Sequence, residues 1–450
     1  MVPYIIEKLN DLTVAMSMSE PPTGEQEFRE ADVDMTSRDS TSVQVPRTSD
    51  PRPVSRPLAG LTIVDLTHAL SGPTCTNLLA ILGASVIKIE RIGLGDDFRH
   101  YTEHAGLPGM SVPFAGVNTG KKSLTLDLKS PRGIQIVHEL VRRGDVVVEN
   151  FRPGVASKLK LDWDSLRALN PRLIHASISG FGQTGEMRDW TAYDHIVQAM
   201  SGMMWMNGEP DDDPMKVGFP IIDTFTGYMA VIGILAALQR RHTTGEGESI
   251  DVAMLDSAFN LIGNAVPIYF HTNELRARTG NRGYRLVATS ETYKTLDGHI
   301  AIGANHQHQI EALCEVLGCT SLLADPRFAT HKDRVRNHEE LRSALAGLFA
   351  TVNGLEVEPK LAARHVPVAF VRDLGQILKH PHWRERKLFL ESELPGAEEP
   401  LRVAGPGFQF GSGKLEAGPV PKLGEHTDEV LQSIGYDAAT IEALRRDEVI

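Results

Sequence analysis

At 450 residues, with a soft prior of about 150 residues per domain, the chain has room for two to three domains and a sizeable core. Its 41% hydrophobic and 23% charged residues are a globular balance, and a formal net charge of −12 argues against nucleic acid or an anionic membrane as the main partner. Cys75, Cys314 and Cys319 cannot all pair and lack zinc-type CxxC spacing, so no metal site is expected, and a reducing, cytoplasmic setting is, with an organelle such as the mitochondrion left open.

Residues 1–56 mix Glu and Asp with Ser, Thr and Pro and carry little apolar periodicity, which predicts a disordered acidic tail rather than an Arg-rich transit peptide. Residues 57–270 predict a large domain. Strands are expected at Leu61–Leu66, Ser85–Glu90, SLTLDL from Ser123, Asp145–Asn150 and Leu173–Gly180. Helices alternate with them, one ending at Gly83 and one opened by Ser130 and Pro131. Such alternation predicts an α/β fold, a Rossmann-like doubly wound parallel sheet. The apolar run Tyr228–Leu238 has 11 residues against the roughly 20 that a bilayer span needs, and reads as a buried helix. After the strand ESIDVAML and a helix from Asp256, residues 271–400 predict a smaller α+β domain, opening with a hairpin turned at Asp297 and Gly298. Residues 401–450 are expected to return to the large domain and to end in two short capped helices.

The first βα turn, with Glu90 ending the second strand, mimics a dinucleotide fingerprint, but His68-Ala69-Leu70-Ser71-Gly72-Pro73 lacks the second and third glycines of GxGxxG. No P-loop, GxSxG elbow or HExxH occurs, and His306 and His308 lack the neighbouring ligands zinc requires. Asp223, in VGFPIIDTFTG before the long apolar helix, reads as an N-cap, a placement that would also desolvate and orient a carboxylate nucleophile. Asp194, between Tyr193 and His195, reads as a cap too. Arg91, Lys129 and Arg152 each follow a strand end, where ligands of open α/β sheets bind; singly each reads as a solvated charge, together as a candidate phosphate site.

Several stretches in order resemble the family III CoA-transferases: PLAGLTIVDLTHALSGPTCTNLLAILGASVIKIER, NTGKKSLTLDLKSP, DVVVENFRPG, LNPRLIHASISGFGQTG, YDHIVQAMSG, DTFTGYMAVIGILAALQRRHTTGEG and LGEHTDEVL. The resemblance spans nearly everything from Leu58 and leaves out the acidic tail. It implies an interlocked homodimer that moves CoA from an acyl-CoA donor to a carboxylic acid, with Asp223 at the nucleophile position, His68 near the acyl group and no metal or redox cofactor. The CoA site it implies comprises Leu70 and Ser71 by their backbone, Arg91, Leu126, Asp127, Leu128, Lys129, Asn150, Phe151, Arg152, Lys158, Thr191, Ala192, Tyr193 and Asp194. Lys158 stands where the formyl-CoA branch carries Arg.

That branch also has Gln at the place of Leu70, Trp near Tyr101 and an all-glycine loop, for which Gly280 and Gly283 are a thin substitute. The chain is more similar to the branch that takes succinyl-CoA and larger dicarboxylic acids. Arg282 or Arg285 would then meet the acceptor's second carboxylate. The alternative is a racemase acting on α-methylacyl-CoA; those enzymes read GHDINY where this chain reads AYDHIV.

Overall fold

The computed structural model describes residues 56–102, 110–283, 287–411 and 415–450. The expected tail, apart from Arg56, and the candidate Arg285 lie outside them.

Six parallel strands form the main sheet: β1 (Thr62–Leu66), β2 (Ser85–Glu90), β3 (Lys122–Thr125), β4 (Val146–Glu149), β5 (Ile174–Ser179) and β6 (Glu248–Ala253), in the order β3-β2-β1-β4-β5-β6. The order reverses between β1 and β4, so the crevice where doubly wound sheets bind ligands lies beyond those two strand ends. Strand alternation separates two cores. Val64, Leu66 and Val147 face one side, packing with α2 (Pro131–Arg143). Ile63, Val146 and Val148 face the other, against α1 (Ser71–Ile81) and α4 (Ile221–Thr244); between these two helices in the chain lies α3 (Asp194–Met200). After β6 come α5 (Met254–Leu261) and α6 (Ala265–Thr272). The helix expected from Asp256 therefore starts at Met254, which the sequence reading had given to the strand.

Helix α4 departs further from expectation. It is 24 residues long, and by length and composition alone it would suffice to cross a membrane. Ile222, Thr226, Gly227, Ala230, Val231, Ile234 and Ala237 are buried, but Tyr228, Ile232 and Leu235 form an exposed stripe. The predicted buried helix thus buries one face only.

The second region is a three-stranded antiparallel sheet, β7 (Thr292–Lys294), β8 (His299–Ile302) and β9 (Val368–Phe370), with the predicted hairpin between β7 and β8. Its own core includes Tyr293, Ile300, Leu313, Leu345 and Phe349. A separate ribbon pairs β10 (Phe389–Ser392) with β11 (Leu401–Ala404). The chain then returns to the main sheet as α7 (Thr427–Ser433) and α8 (Ala438–Arg446), whose Leu431, Ile441 and Leu444 join the core beneath β1 and β3. Asp437 caps α8 through the Thr440 N–H at 2.8 Å, and the Asp127 N–H donates to the Val449 carbonyl at 3.0 Å.

Candidate active site

Helices α1 and α4 pack side by side. Gly227 makes this possible: a Cβ there would lie 2.7 Å from the Ser71 carbonyl oxygen and 2.9 Å from Thr74 Cβ. Asp223 precedes Gly227 by one turn, about 6 Å along the axis, so it stands beside the opening of α1 at the carboxyl edge of the sheet.

Asp223 is not the N-cap that the sequence suggested. Pro220 precedes the helix and its ring carries no acceptor to cap it, and Asp223 is the third helical residue. The capping carboxylate comes from α3. Asp194 Oδ2 accepts the Ile222 N–H at 2.7 Å and the Asp223 N–H at 3.0 Å. Its Oδ1 accepts from Gln198 Nε2 at 2.5 Å, and Gln198 Oε1 accepts the Val217 N–H at 2.8 Å. Asp194 caps a neighbouring helix rather than its own, which begins at Asp194 without a side-chain cap. The Asp223 carboxylate makes no hydrogen bond among the described residues. A helix start favours its anion, yet burial, reinforced by the charge of Asp194, wins and pushes Asp223 up to about 7.

Facing this helix start is the turn from β1 into α1. His68 is clamped across the switch point by Asn150, which follows β4: Asn150 Oδ1 accepts the His68 N–H at 2.9 Å, and Nδ2 donates to the His68 carbonyl at 2.8 Å. Burial and the nearby Lys88 cation hold the His68 imidazole below its usual value. The His68 ring lies tilted on Phe151, with centroids 6.5 Å apart.

The remaining residues anticipated for CoA divide by environment. Leu126 is buried in the core and Leu128 packs against it, while Asp127 accepts the Lys129 N–H. Ser71 is buried; Leu70 and Ala192 are half-buried; Thr191 and Tyr193 are exposed. Arg91 is exposed and ion-paired with Asp97. Lys129, Arg152 and Lys158 are exposed, and among the described residues none has an acidic partner. Arg282, offered for an acceptor carboxylate, is ion-paired with Glu339 at 3.1 Å, and its backbone forms an isolated antiparallel bridge with Glu291 beside the antiparallel sheet. Glu90, the dinucleotide mimic, is likewise committed, accepting from Arg99 Nε and Nη2 at 2.8 Å each and from Ser123 Oγ at 2.6 Å.

Sequence reasoning passed over a buried ionic lattice under the β1–α1 turn. Lys121 Nζ donates to Asp65 Oδ2 at 3.0 Å and to Thr76 Oγ1 at 2.7 Å. Although burial opposes it, Lys121, Lys88 and the Thr67 and Thr76 hydroxyls hold the Asp65 carboxyl well below the carboxylate range. Burial pulls Lys121 down to about 8, Asp65 resisting. The available signal was opposite charges inside two apolar strands, Asp65 in TIVDL and Lys88 in SVIKIE, which the sheet sets in register.

A profile of CoA-transferase family III matches residues 58–427. The succinate–glutarate CoA-transferase of Agrobacterium fabrum is 35% identical over 389 residues, 84% of this chain and 96% of that one. The acetyl-CoA:oxalate CoA-transferase of Acetobacter aceti is 38% identical over 353 residues, 78% of this chain and 90% of that one. Among solved structures, a CAIB/BAIF family protein from Brucella suis matches with a TM-score of 0.77 at 33% identity, covering 84% of this chain and 100% of that one. The chain belongs to CoA-transferase family III, and it is a CoA-transferase.

Proposed function

We propose that the chain transfers CoA from succinyl-CoA to a dicarboxylic acid such as glutarate, with Asp223 as the covalent nucleophile. The observation that carries this reading is the Asp223 carboxylate itself: unbonded, half-buried, and held through its own backbone N–H by Asp194. A nucleophile needs a fixed trajectory and an unencumbered lone pair. An Asp223 oxygen attacks the thioester carbonyl; the C–S bond breaks, leaving an acyl–aspartyl anhydride and CoA thiolate. The thiolate attacks Asp223 Cγ, releases succinate and forms an aspartyl-CoA thioester. The acceptor carboxylate attacks the same Cγ, expelling the thiolate and forming a second anhydride. Attack of the thiolate on the acceptor's carbonyl gives the new acyl-CoA and restores Asp223. Exposed Lys129 and Arg152, on the loops beyond β3 and β4, and Lys158, at the end of the short helix Val155–Lys158, suit the phosphates of CoA.

The choice of acids rests on relatives. The Agrobacterium fabrum enzyme is named for succinate and glutarate, the Acetobacter aceti enzyme for acetyl-CoA and oxalate. Leu70, where oxalate enzymes of the formyl-CoA branch carry Gln, favours the larger acid. The racemase alternative gains no support from these relatives.

We also propose a homodimer, interlocked as the resemblance implies. Helix α6 (AVPIYFHT) has no buried residue, and Phe270 is 83% exposed. An isolated apolar helix of this length is unstable in water and calls for a cover. Its Tyr269 and Phe270, with Trp205 and Phe259, line a cleft of about 410 Å³.

Asp223→Ala should abolish transfer from succinyl-CoA to glutarate while CoA affinity, by titration calorimetry, stays within about threefold; turnover in that variant would refute the nucleophile. Because only the ionised carboxylate attacks and its pKa lies near 7, kcat/KM should rise with pH through that region. Asp194→Asn removes the like charge and should move the midpoint to lower pH; an unmoved midpoint would contradict the electrostatic account. Light scattering should give twice the 49.3 kDa chain mass, and a monomer at micromolar concentration would end the dimer proposal.

A further inference from the structure

The turn that opens α1 is gripped by a pair of charges that take no part in the chemistry above. Ala69 has φ 63°, in the left-handed region that costs a residue with a Cβ about 1–2 kcal/mol. Such a conformation persists only where its surroundings enforce it. Here the Ala69 N–H donates to Asp96 Oδ1 at 3.1 Å, and the same oxygen accepts the Phe98 N–H at 3.0 Å. Asp96 Oδ2 lies 3.0 Å from Lys88 Nζ, both side chains being fully buried. Lys88 Nζ donates onward to the Thr67 carbonyl at 2.7 Å. The Asp96 N–H is fixed in turn by Glu90 Oε1 at 3.1 Å, and Arg99 pins Glu90.

Stability alone explains this poorly. A buried ion pair returns little more than its desolvation cost, and apolar residues of similar volume often serve as well. What the pair does supply is geometry. With Asn150 on His68, it ties down Thr67, His68 and Ala69 in succession. The next residues open α1, which has no side-chain cap and whose Ser71 carbonyl faces Gly227, one turn from Asp223.

We propose that Lys88 and Asp96 are positioning residues for CoA transfer: by holding Ala69 left-handed they fix the β1–α1 turn, and with it His68 and the start of α1, against the Asp223 helix. The proposal rests on Asp223 as the attacking group. Small displacements of reacting partners are expensive, about 100-fold in rate for 1 Å.

The test replaces the pair by apolar residues, Lys88→Met with Asp96→Leu, in the full chain, and measures transfer from succinyl-CoA to glutarate alongside thermal unfolding. A folded double variant should lose roughly 100-fold in kcat. Adding Ala69→Gly should return at least about tenfold of it, since glycine adopts the left-handed conformation unaided; a purely structural role would not respond in this way. Ala69→Val, in an otherwise unchanged chain, provides the same test without touching the buried charges: Ala69 is exposed, and a β-branched residue resists positive φ, so kcat should fall comparably. A folded double variant with unchanged kcat, no recovery from glycine, or full turnover in Ala69→Val would each overturn the proposal. Asp223→Ala measured in parallel separates the two readings: turnover there refutes the nucleophile, whereas an inactive Asp223→Ala beside fully active turn variants refutes the positioning role alone.

Discussion

Everything at the carboxyl edge of the sheet depends on how one long helix is started. Helix α4 begins after a proline, so its first N–H groups have no local cap. Asp194, from another helix, takes two of them. That one carboxylate sets where the Asp223 backbone lies, and burial, with its charge added, raises the proton affinity of Asp223. The neighbour that fixes the Asp223 backbone thus also adds to the effect of burial on its carboxyl. The glycine one turn later lets α1 come close, bringing a second helix start alongside.

The opposing side of the crevice is held by different physics. Hydrophobic cores on both faces of the sheet fix the strands, but they cannot aim a turn that projects beyond the last ladder bond. Polar side chains do that: Asn150 from the far side of the switch point, Lys88 from the strand alongside β1 and Asp96 from the loop that follows that strand. Beneath them Asp65 and Lys121 complete a lattice in which each charge has an opposite partner, the condition under which buried ions are tolerated.

Much of this was readable in the residues. Alternation of apolar strands and helices gave the parallel sheet, and the hairpin at Asp297 and helix α8 were legible from turn and cap chemistry, whereas α7, also expected to be capped, starts without a side-chain cap. Asp223 was singled out by its motif, but its place before an apolar helix suggested an N-cap, whereas it is the third helical residue. The partners of Asp194 and Asn150 were not legible, because each bonds backbone groups 28 to 82 residues away, and backbone donors carry no sequence signature. Nor could the run in α4 disclose which of its faces is open, since periodicity does not say what covers an apolar surface. The ion pair of Arg282 with Glu339 was not legible for a similar reason, since the two lie far apart along the chain.

The central claim is that the Asp223 carboxylate forms covalent intermediates. The most direct measurement is mass spectrometry of the protein after incubation with succinyl-CoA in the absence of acceptor, followed by hydroxylamine and peptide mapping. The account predicts a labile CoA adduct, converted by hydroxylamine to a hydroxamate on Asp223. An unmodified Asp223 in protein that binds and turns over succinyl-CoA would contradict it.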